Sequence, residues 1–334
     1  MTTHDERPHL LILGANGRLG LAAAQAFAAR GWQVTAALRG TPAPGLPAGV
    51  RICRAALQDS DALARAAHGA RWVLHAVNPP YTRWAQELLP LAEAGIRVAQ
   101  RLQARLLLPG NVYNYGSAMP SRLLPDTPQQ PDTRKGRLRV ALEERLQAAA
   151  AEGLVQTTVL RAGDFFGCGS GTWFDQAIVK SLAVGRLVYP GPLDRPHAWA
   201  YLPDLARAVV ALAERPPAAC APFERFHFPG HTLTGAGLLD GIAQAAAAIG
   251  QQPARPWRRS TLPWPLIRAG GWLVPMWREL AEMAYLWEQP HALDGQALEA
   301  AVGPLPQTAM GEALRRTLQR LEADRGALTA AAAT

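Results

Sequence analysis

The segment Leu10–Gly20 reads LLILGANGRLG, with glycines three apart at Gly14, Gly17 and Gly20. Glycines at this spacing suit a ligand that must come close to the backbone. Gly14 permits a tight turn, Gly17 lets the main chain approach a pyrophosphate, and Gly20 lets a following helix pack on a strand. Asn16, Arg18 and Leu19 complete the turn, where N–H groups at the start of a helix are offered to phosphates. The alternative is a tight turn that holds nothing. The next apolar run ends Ala36-Ala37-Leu38-Arg39, with no acid to accept from a ribose 2′-hydroxyl. Arg39 suits a 2′-phosphate instead, and one charge-assisted bond of that kind contributes roughly 1.5–3 kcal/mol. The expected cofactor is therefore NADP(H) in preference to NAD(H). Asp59 is placed to contact adenine or to cap a helix.

The elements that must position this turn alternate along the first half. Strands are expected at His9–Leu13, Trp32–Leu38, Val50–Arg54, Arg71–Val77, Ala104–Leu108 and Gln156–Arg161. Ala-rich or amphipathic helices lie between them, the last over Gly136–Glu152 with Leu138, Leu142 and Leu146 on one stripe. Ser117–Thr133 is rich in Pro, Gln and Asp and reads as a loop. Strict alternation implies α/β architecture, a doubly wound parallel sheet with helices on both faces. After Gly167 the pattern breaks into Gly, Pro and aromatic residues, and helices dominate from Thr234. The expected organisation is a dinucleotide-binding domain over residues 1–170, with 198–215 returning to it. A smaller, mostly helical substrate domain would take 171–197 and 216–334.

Composition narrows the function classes. The chain has 334 residues, 49% hydrophobic and 18% charged, which excludes disordered, collagen-like and coiled-coil classes. Cys53, Cys168 and Cys220 are too few and too scattered for a disulfide framework or a cysteine zinc site, and suggest a reducing compartment. The net charge of +8 rests almost wholly on scattered arginines, only Lys135 and Lys180 being lysines. That distribution argues against nucleic acid and for a moderate preference for anionic ligands. The polar N-terminus lacks the apolar stretch of a signal peptide. The Trp-rich run from Trp257 to Trp287 is broken by Arg258, Arg259, Arg268, Arg278 and Glu279, so no integral membrane segment is expected. A cytoplasmic protein follows, with a small-molecule substrate and room for a homodimer.

Five pieces in order resemble the short-chain dehydrogenase/reductase superfamily, in its extended and atypical branches, those labelled NAD-dependent epimerase/dehydratase. They are GANGRLG (14–20), HAVNPPY (75–81), PGNVYNYG (109–116), LRAGDFFG (160–167) and WAYLPDLARAV (199–209), and they cover roughly residues 8–210. The resemblance implies a Rossmann fold, a nicotinamide cofactor bound also by Ala76 and Asn78, a Ser/Thr after the fifth strand, and a Tyr-x-x-x-Lys on the next helix. This sequence departs at all three catalytic positions. Asn111 stands at the Ser/Thr position, counting back from Tyr115-Gly116. Aligned on Glu143-Glu144, Lys135 stands for the tyrosine and Arg139 for the lysine.

Lys135 and Arg139 share a helix face at i and i+4. Arg139 is a fixed charge that suits ribose or phosphate. Lys135 would serve as a proton donor if Arg134, Arg137 and Arg139 lowered its affinity for the proton; otherwise it belongs to a solvated basic turn. Tyr81, Tyr113 and Tyr115 are alternative acids at strand ends where ligands bind, and Tyr113 is preferred. Asp164, Phe165, Trp173 and His197 are expected to line the substrate pocket, with turn capping the alternative for Asp164. His75 reads as core, and His227, His231 and His291 lack metal-ligand spacing, so no metal is expected. Trp173, Phe174, Trp199, Trp264, Trp272 and Trp277 read as core first; if they line a pocket, they favour a flat, apolar substrate. The expected function is an NADP(H)-dependent oxidoreductase passing hydride to or from a small, mainly apolar carbonyl or alcohol. The alternatives are a non-catalytic NADP(H)-binding regulator or redox sensor, and a sugar-nucleotide epimerase or dehydratase.

Overall fold

The computed structural model describes residues 7–332. β1 (His9–Leu13) enters the glycine turn and α1 (Arg18–Ala29) leaves it. Then come β2 (Gln33–Ala37), β3 (Arg51–Cys53), α2 (Ser60–Ala66), β4 (Trp72–His75), α3 (Trp84–Leu102) and β5 (Arg105–Gly110). β6 (Arg122–Leu123), a two-residue strand inside the expected loop, precedes α4 (Arg134–Ala151) and β7 (Thr157–Arg161). The second half carries β8 (Asp164–Phe166), β9 (Arg186–Tyr189), β10 (Pro196–Tyr201), α5 (Leu202–Ala213) and β11 (Phe223–His227). It continues with β12 (His231–Thr234), α6 (Gly235–Ala248), β13 (Arg258–Thr261), α7 (Trp264–Gly270), α8 (Pro275–Ala281) and α9 (Tyr285–Glu288). β14 (Ala292–Leu293), α10 (Gln296–Val302) and α11 (Met310–Ala332) close the chain.

The main sheet has seven parallel strands in the order β11-β7-β5-β4-β1-β2-β3. Strand side chains alternate between faces, so β1 divides its residues between two cores. Leu10 and Ile12 pack with Phe27 of α1 and Leu205 and Val209 of α5. Leu11 and Leu13 pack on the other side with Leu88 and Ile96 of α3 and Leu142 and Leu146 of α4. This double covering explains why β1 is buried along its whole length. The fold is therefore the expected Rossmann-like α/β arrangement, with a largely helical C-terminal part. β11, from the stretch after residue 216, joins the main sheet beside β7.

The strand order reverses at β1, which lies between β4 and β2. Loops leaving β1 and β4 there turn to opposite sides and open a crevice at their carboxyl ends, where open α/β sheets bind ligands. Outside the main sheet lie a three-stranded sheet, β12-β10-β8, and a β9–β13 pair. A third core holds Phe166, Phe174, Tyr189, Trp199 and Trp287. Trp173 and Trp264 pack against that core, whereas Trp272 is 93% exposed.

Candidate active site

The glycine turn has the geometry that a pyrophosphate requires. Gly14 sits at φ +83°, a conformation that side chains disfavour, with the Ala76 backbone against it. A Cβ on Gly20 would meet the Gly14 carbonyl oxygen and lie 2.8 Å from Ala15 Cα. α1 starts with no side-chain cap at Gly17 and no acid in its first turn, so its N–H groups face outward unpaired by side chains. Arg18 donates to the Ser170 carbonyl at 2.7 Å, while its buried Nε has no partner. The Asn16 side chain ties down the loop after β2: it donates to the carbonyls of Arg39 and Thr41 and accepts from the Ala43 N–H. Arg39 is exposed at the end of that strand. Asp59 takes the capping alternative, accepting from the Ala62 N–H at 2.9 Å.

At the ends of β4 and β5 two phenols meet. The hydroxyls of Tyr81 and Tyr113 are 2.7 Å apart. Burial raises both above the ordinary phenol range, Tyr113 furthest because Tyr81 lies beside it. Both therefore stay protonated at neutral pH and act as donors, not bases. Asn111 accepts from the Tyr113 N–H through Oδ1 at 3.1 Å, which fixes its side chain. Arg139 lies behind the pair, its guanidinium 4.7 Å from the Trp84 ring centroid. Its hydrogen bonds are long, 3.4 Å to the Pro109 carbonyl and 3.5 Å to Asn78 Oδ1, and its buried Nε has none. A buried guanidinium with donors to spare suits a polar or anionic ligand.

Asn111, Tyr113, Asp164 and His197 line one small cavity of about 20 Å³ together with Leu286 and His291. Asp164 accepts from His197 Nε2 at 2.8 Å, because β8 and β10 lie side by side with Trp199 opposite Asp164. His197 stacks on Trp287 at 4.4 Å. His291 donates from Nδ1 to the Gln289 carbonyl. Burial and the neighbouring His197 push its pKa down to about 3, so it is neutral. Its Nε2 and His197 Nδ1 are buried without partners. A larger groove, about 550 Å³, lies between α1, α5 and Leu305-Pro306, and none of these chemistry-bearing residues lines it.

The family model for the NAD-dependent epimerase/dehydratase family matches residues 10–222. The chain belongs to this family. Its fold is similar to that of the UDP-glucose 4-epimerase of Thermotoga maritima, solved with UDP-glucose, at 14% identity, 95% of this chain, 99% of that chain and a TM-score of 0.71. It is also similar to the UDP-glucose 4-epimerase of Bifidobacterium longum in complex with NAD+ and UDP, at 15% identity, coverage of 93% and 97%, and a TM-score of 0.70. The UDP-glucuronic acid 4-epimerase of Bacillus cereus, in complex with NAD, gives 14% identity, coverage of 94% and 98%, and a TM-score of 0.70. No curated protein sequence matches the chain.

In this family member Tyr113 is the expected acid that lines the cavity; Tyr81 reaches it through the Tyr113 hydroxyl, and Lys135 and Tyr115 stand elsewhere. Lys135 is fully buried, and its ammonium is held by Glu279 and, at 2.6 Å, by Glu282, with the Tyr81 ring 5.3 Å away. The all-cationic surroundings expected from Arg134, Arg137 and Arg139 are corrected by these two carboxylates, which arrive from α8 and the residue after it. Tyr115 is sealed in a core network. Its hydroxyl accepts from Arg161, which pairs with Glu143, and donates to His227 Nε2 at 2.7 Å. Burial pushes Tyr115 up to about 12. His227 Nδ1 donates to the Leu123 carbonyl, and burial with Arg161 nearby holds its pKa down to about 4. His75 is core as expected, with Nε2 donating to the Leu91 carbonyl at 2.9 Å. Phe165 packs against the α1–α5 core and Trp173 stacks edge-on to Trp287 at 5.3 Å; neither lines the small cavity, correcting the place the sequence predicts for them. Among the described residues no group of three or more His, Cys, Asp or Glu could hold a metal. Sequence reasoning missed His291, Leu286 and the Glu279/Glu282 pair. Only the i, i+3 spacing of the two glutamates could have signalled a partner for a buried cation.

Proposed function

We propose that the chain is an NADP(H)-dependent oxidoreductase that transfers hydride to or from a small, mainly apolar carbonyl or alcohol. The observation that carries this reading is Tyr113: a neutral phenol hydrogen-bonded to Tyr81, lining the cavity at the carboxyl edge of the sheet. Gly14, Gly17, Gly20, Leu19 and the α1 N-terminus would hold the pyrophosphate, with Arg18 beside them. Arg39 would face a 2′-phosphate, and Ala76, Asn78 and Arg139 the nicotinamide half. The bound nicotinamide supplies a hydride donor or acceptor. Tyr113 gives its hydroxyl proton to the carbonyl oxygen as that oxygen gains charge, and Tyr81 replaces the proton through the 2.7 Å contact. Asn111 orients the oxygen, and Arg139 stabilises the phenolate left behind. Lys135 enters as a positioning residue that joins α4 to α8 through Glu279 and Glu282. The residues at the family's three catalytic positions, Asn111, Lys135 and Arg139, are consistent with a proton route moved to the Tyr81–Tyr113 pair. Residues 171–197 and 216–334, apart from β11, would form the substrate side.

A second reading, sugar-nucleotide epimerisation or dehydration, is favoured by the solved structures described above, two of which hold UDP-glucose or UDP. The test is NADPH oxidation followed over a panel of aldehydes and ketones, with UDP-sugar conversion measured in parallel. Tyr113→Phe should lower kcat for the best carbonyl by about 10²-fold or more, the lower end for general acid catalysis. Unchanged kcat in Tyr113→Phe would remove the proposed acid. Conversion of a UDP-sugar with no carbonyl reduced would move the assignment to the second reading. Tight NADPH binding with no turnover of either class would favour a sensor.

A further inference from the structure

We propose that the α7–α8 hairpin is an interfacial anchor that docks this protein on an anionic lipid surface. The observation is independent of the reaction proposed above. α7 and α8 are two short helices joined by Gly271–Val274, and this connection is apolar and in water. Trp272 is 93% exposed, Leu273 88% and Leu266 59%, with Val274 and Met276 exposed beside them. Single exposed apolar residues are ordinary on a soluble surface, but five within the eleven positions from Leu266 to Met276 are a patch.

Charge decides which partner this patch fits. Between Asp240 and Glu279 the chain carries Arg255, Arg258, Arg259, Arg268 and Arg278, and no carboxylate. Glu279, the first acid after the tip, is 1% exposed and already neutralised by Lys135 and Arg134. Arg268 reaches Glu288 at 4.0 Å, Arg259 pairs with Asp240 and Arg278 lies 3.7 Å from Glu279, so among the described residues Arg255 and Arg258 are the arginines of this stretch without a carboxylate partner, and its net charge stays positive. Exposed indole and leucine side chains enter the headgroup boundary, while nearby arginines remain with lipid phosphates. No described helix is long and apolar enough to cross a membrane, so the contact is one of lying on the surface.

The test uses the full chain and vesicles of phosphatidylcholine alone or with about a third phosphatidylglycerol, in a co-sedimentation titration at low and moderate salt. The expected result is binding to the anionic vesicles at least about tenfold tighter than to the neutral ones, weakened by salt. In Trp272→Glu/Leu273→Glu binding should fall by at least about tenfold, since both anchors are lost and two repelled charges gained. Its thermal melt should match the parent, because both side chains are in water in the fold. Three results would each overturn the proposal. One is no vesicle binding by the parent protein. Another is equal binding by parent and double variant, or equal binding to both vesicle types. The third is a concentration-dependent dimer, seen by light scattering, that the double variant makes monomeric, which would assign the patch to a second copy of the chain.

Discussion

Replacing Lys135 by methionine tests what the α4 cation does. Lys135 and Glu279 have at most 1% of their side-chain surface exposed, and Glu282 has 18%. At the 2.6 Å separation of Nζ from Glu282, Coulomb attraction is about 6 kcal/mol for an effective dielectric of about 20. Desolvating the three ions costs several kcal/mol each, so the network as a whole stabilises far less than that. Breaking it is another matter, because a stranded buried charge costs about 3–5 kcal/mol. Arg134 stays on Glu279 at 2.5 Å, and Glu282 can rehydrate through its exposed part, so the lower end applies. Lys135→Met should therefore lose about 3 kcal/mol. At about 2 °C per kcal/mol for a chain of this size, the melting temperature should fall by about 6 °C. Glu279→Gln should cost less, since Lys135 keeps Glu282, and Lys135→Met/Glu279→Gln should cost less than the sum of the two. Calorimetry or a thermal melt by circular dichroism reads all three. Strict additivity, or a Lys135→Met melt within about 1 °C of the parent, would refute a buried clamp. An unchanged melt with turnover abolished would make Lys135 the acid after all.

The glycine turn yields a second outcome. Gly20→Ala puts a methyl against the Gly14 carbonyl and 2.8 Å from Ala15 Cα, both backbone, so the turn must shift. NADPH affinity by calorimetry should fall by at least about tenfold, with a stability loss of about 1–3 kcal/mol. Arg39→Asp should reverse cofactor preference, lowering NADPH affinity by about ten- to a hundred-fold while sparing or improving NADH, as read by paired titrations. His227 is neutral in the fold, its pKa lowered from 6.5 to about 4, so the unfolded chain binds its proton first as pH falls. That contribution is complete above pH 6.5 and is lost toward pH 4, about 3 kcal/mol in all. Urea midpoints should begin to drop between pH 6.5 and 5, before most carboxylates titrate, and less steeply in His227→Gln. A flat parent profile across that window would contradict the buried, neutral imidazole.

The parts of the fold legible in the sequence are those with local causes. β1, β4 and β7 announce themselves as short apolar runs, and the glycine turn as spaced glycines between a strand and a helix. Asp164 and His197 are each readable as pocket residues, yet their pairing is not. It depends on β8 lying beside β10 across a long excursion of chain, and nothing local encodes that register. β13, reading Arg-Arg-Ser-Thr, pairs with β9 at the molecular edge with little buried surface, so it has no apolar alternation to find. Lys135 shows the commonest failure. Its neighbours in sequence are cations, whereas its neighbours in space, Glu279 and Glu282, come from far along the chain.

The position of β11 has a consequence for synthesis. β7 is an interior strand of the finished sheet only because Phe223–His227 pairs along its outer side. Until those residues leave the ribosome, a growing polypeptide that has already assembled its first six parallel strands presents an open row of peptide groups, an invitation to other nascent chains. A fragment ended at residue 222, where the family match stops, should be insoluble for the same reason, while one carried through His227 closes that margin.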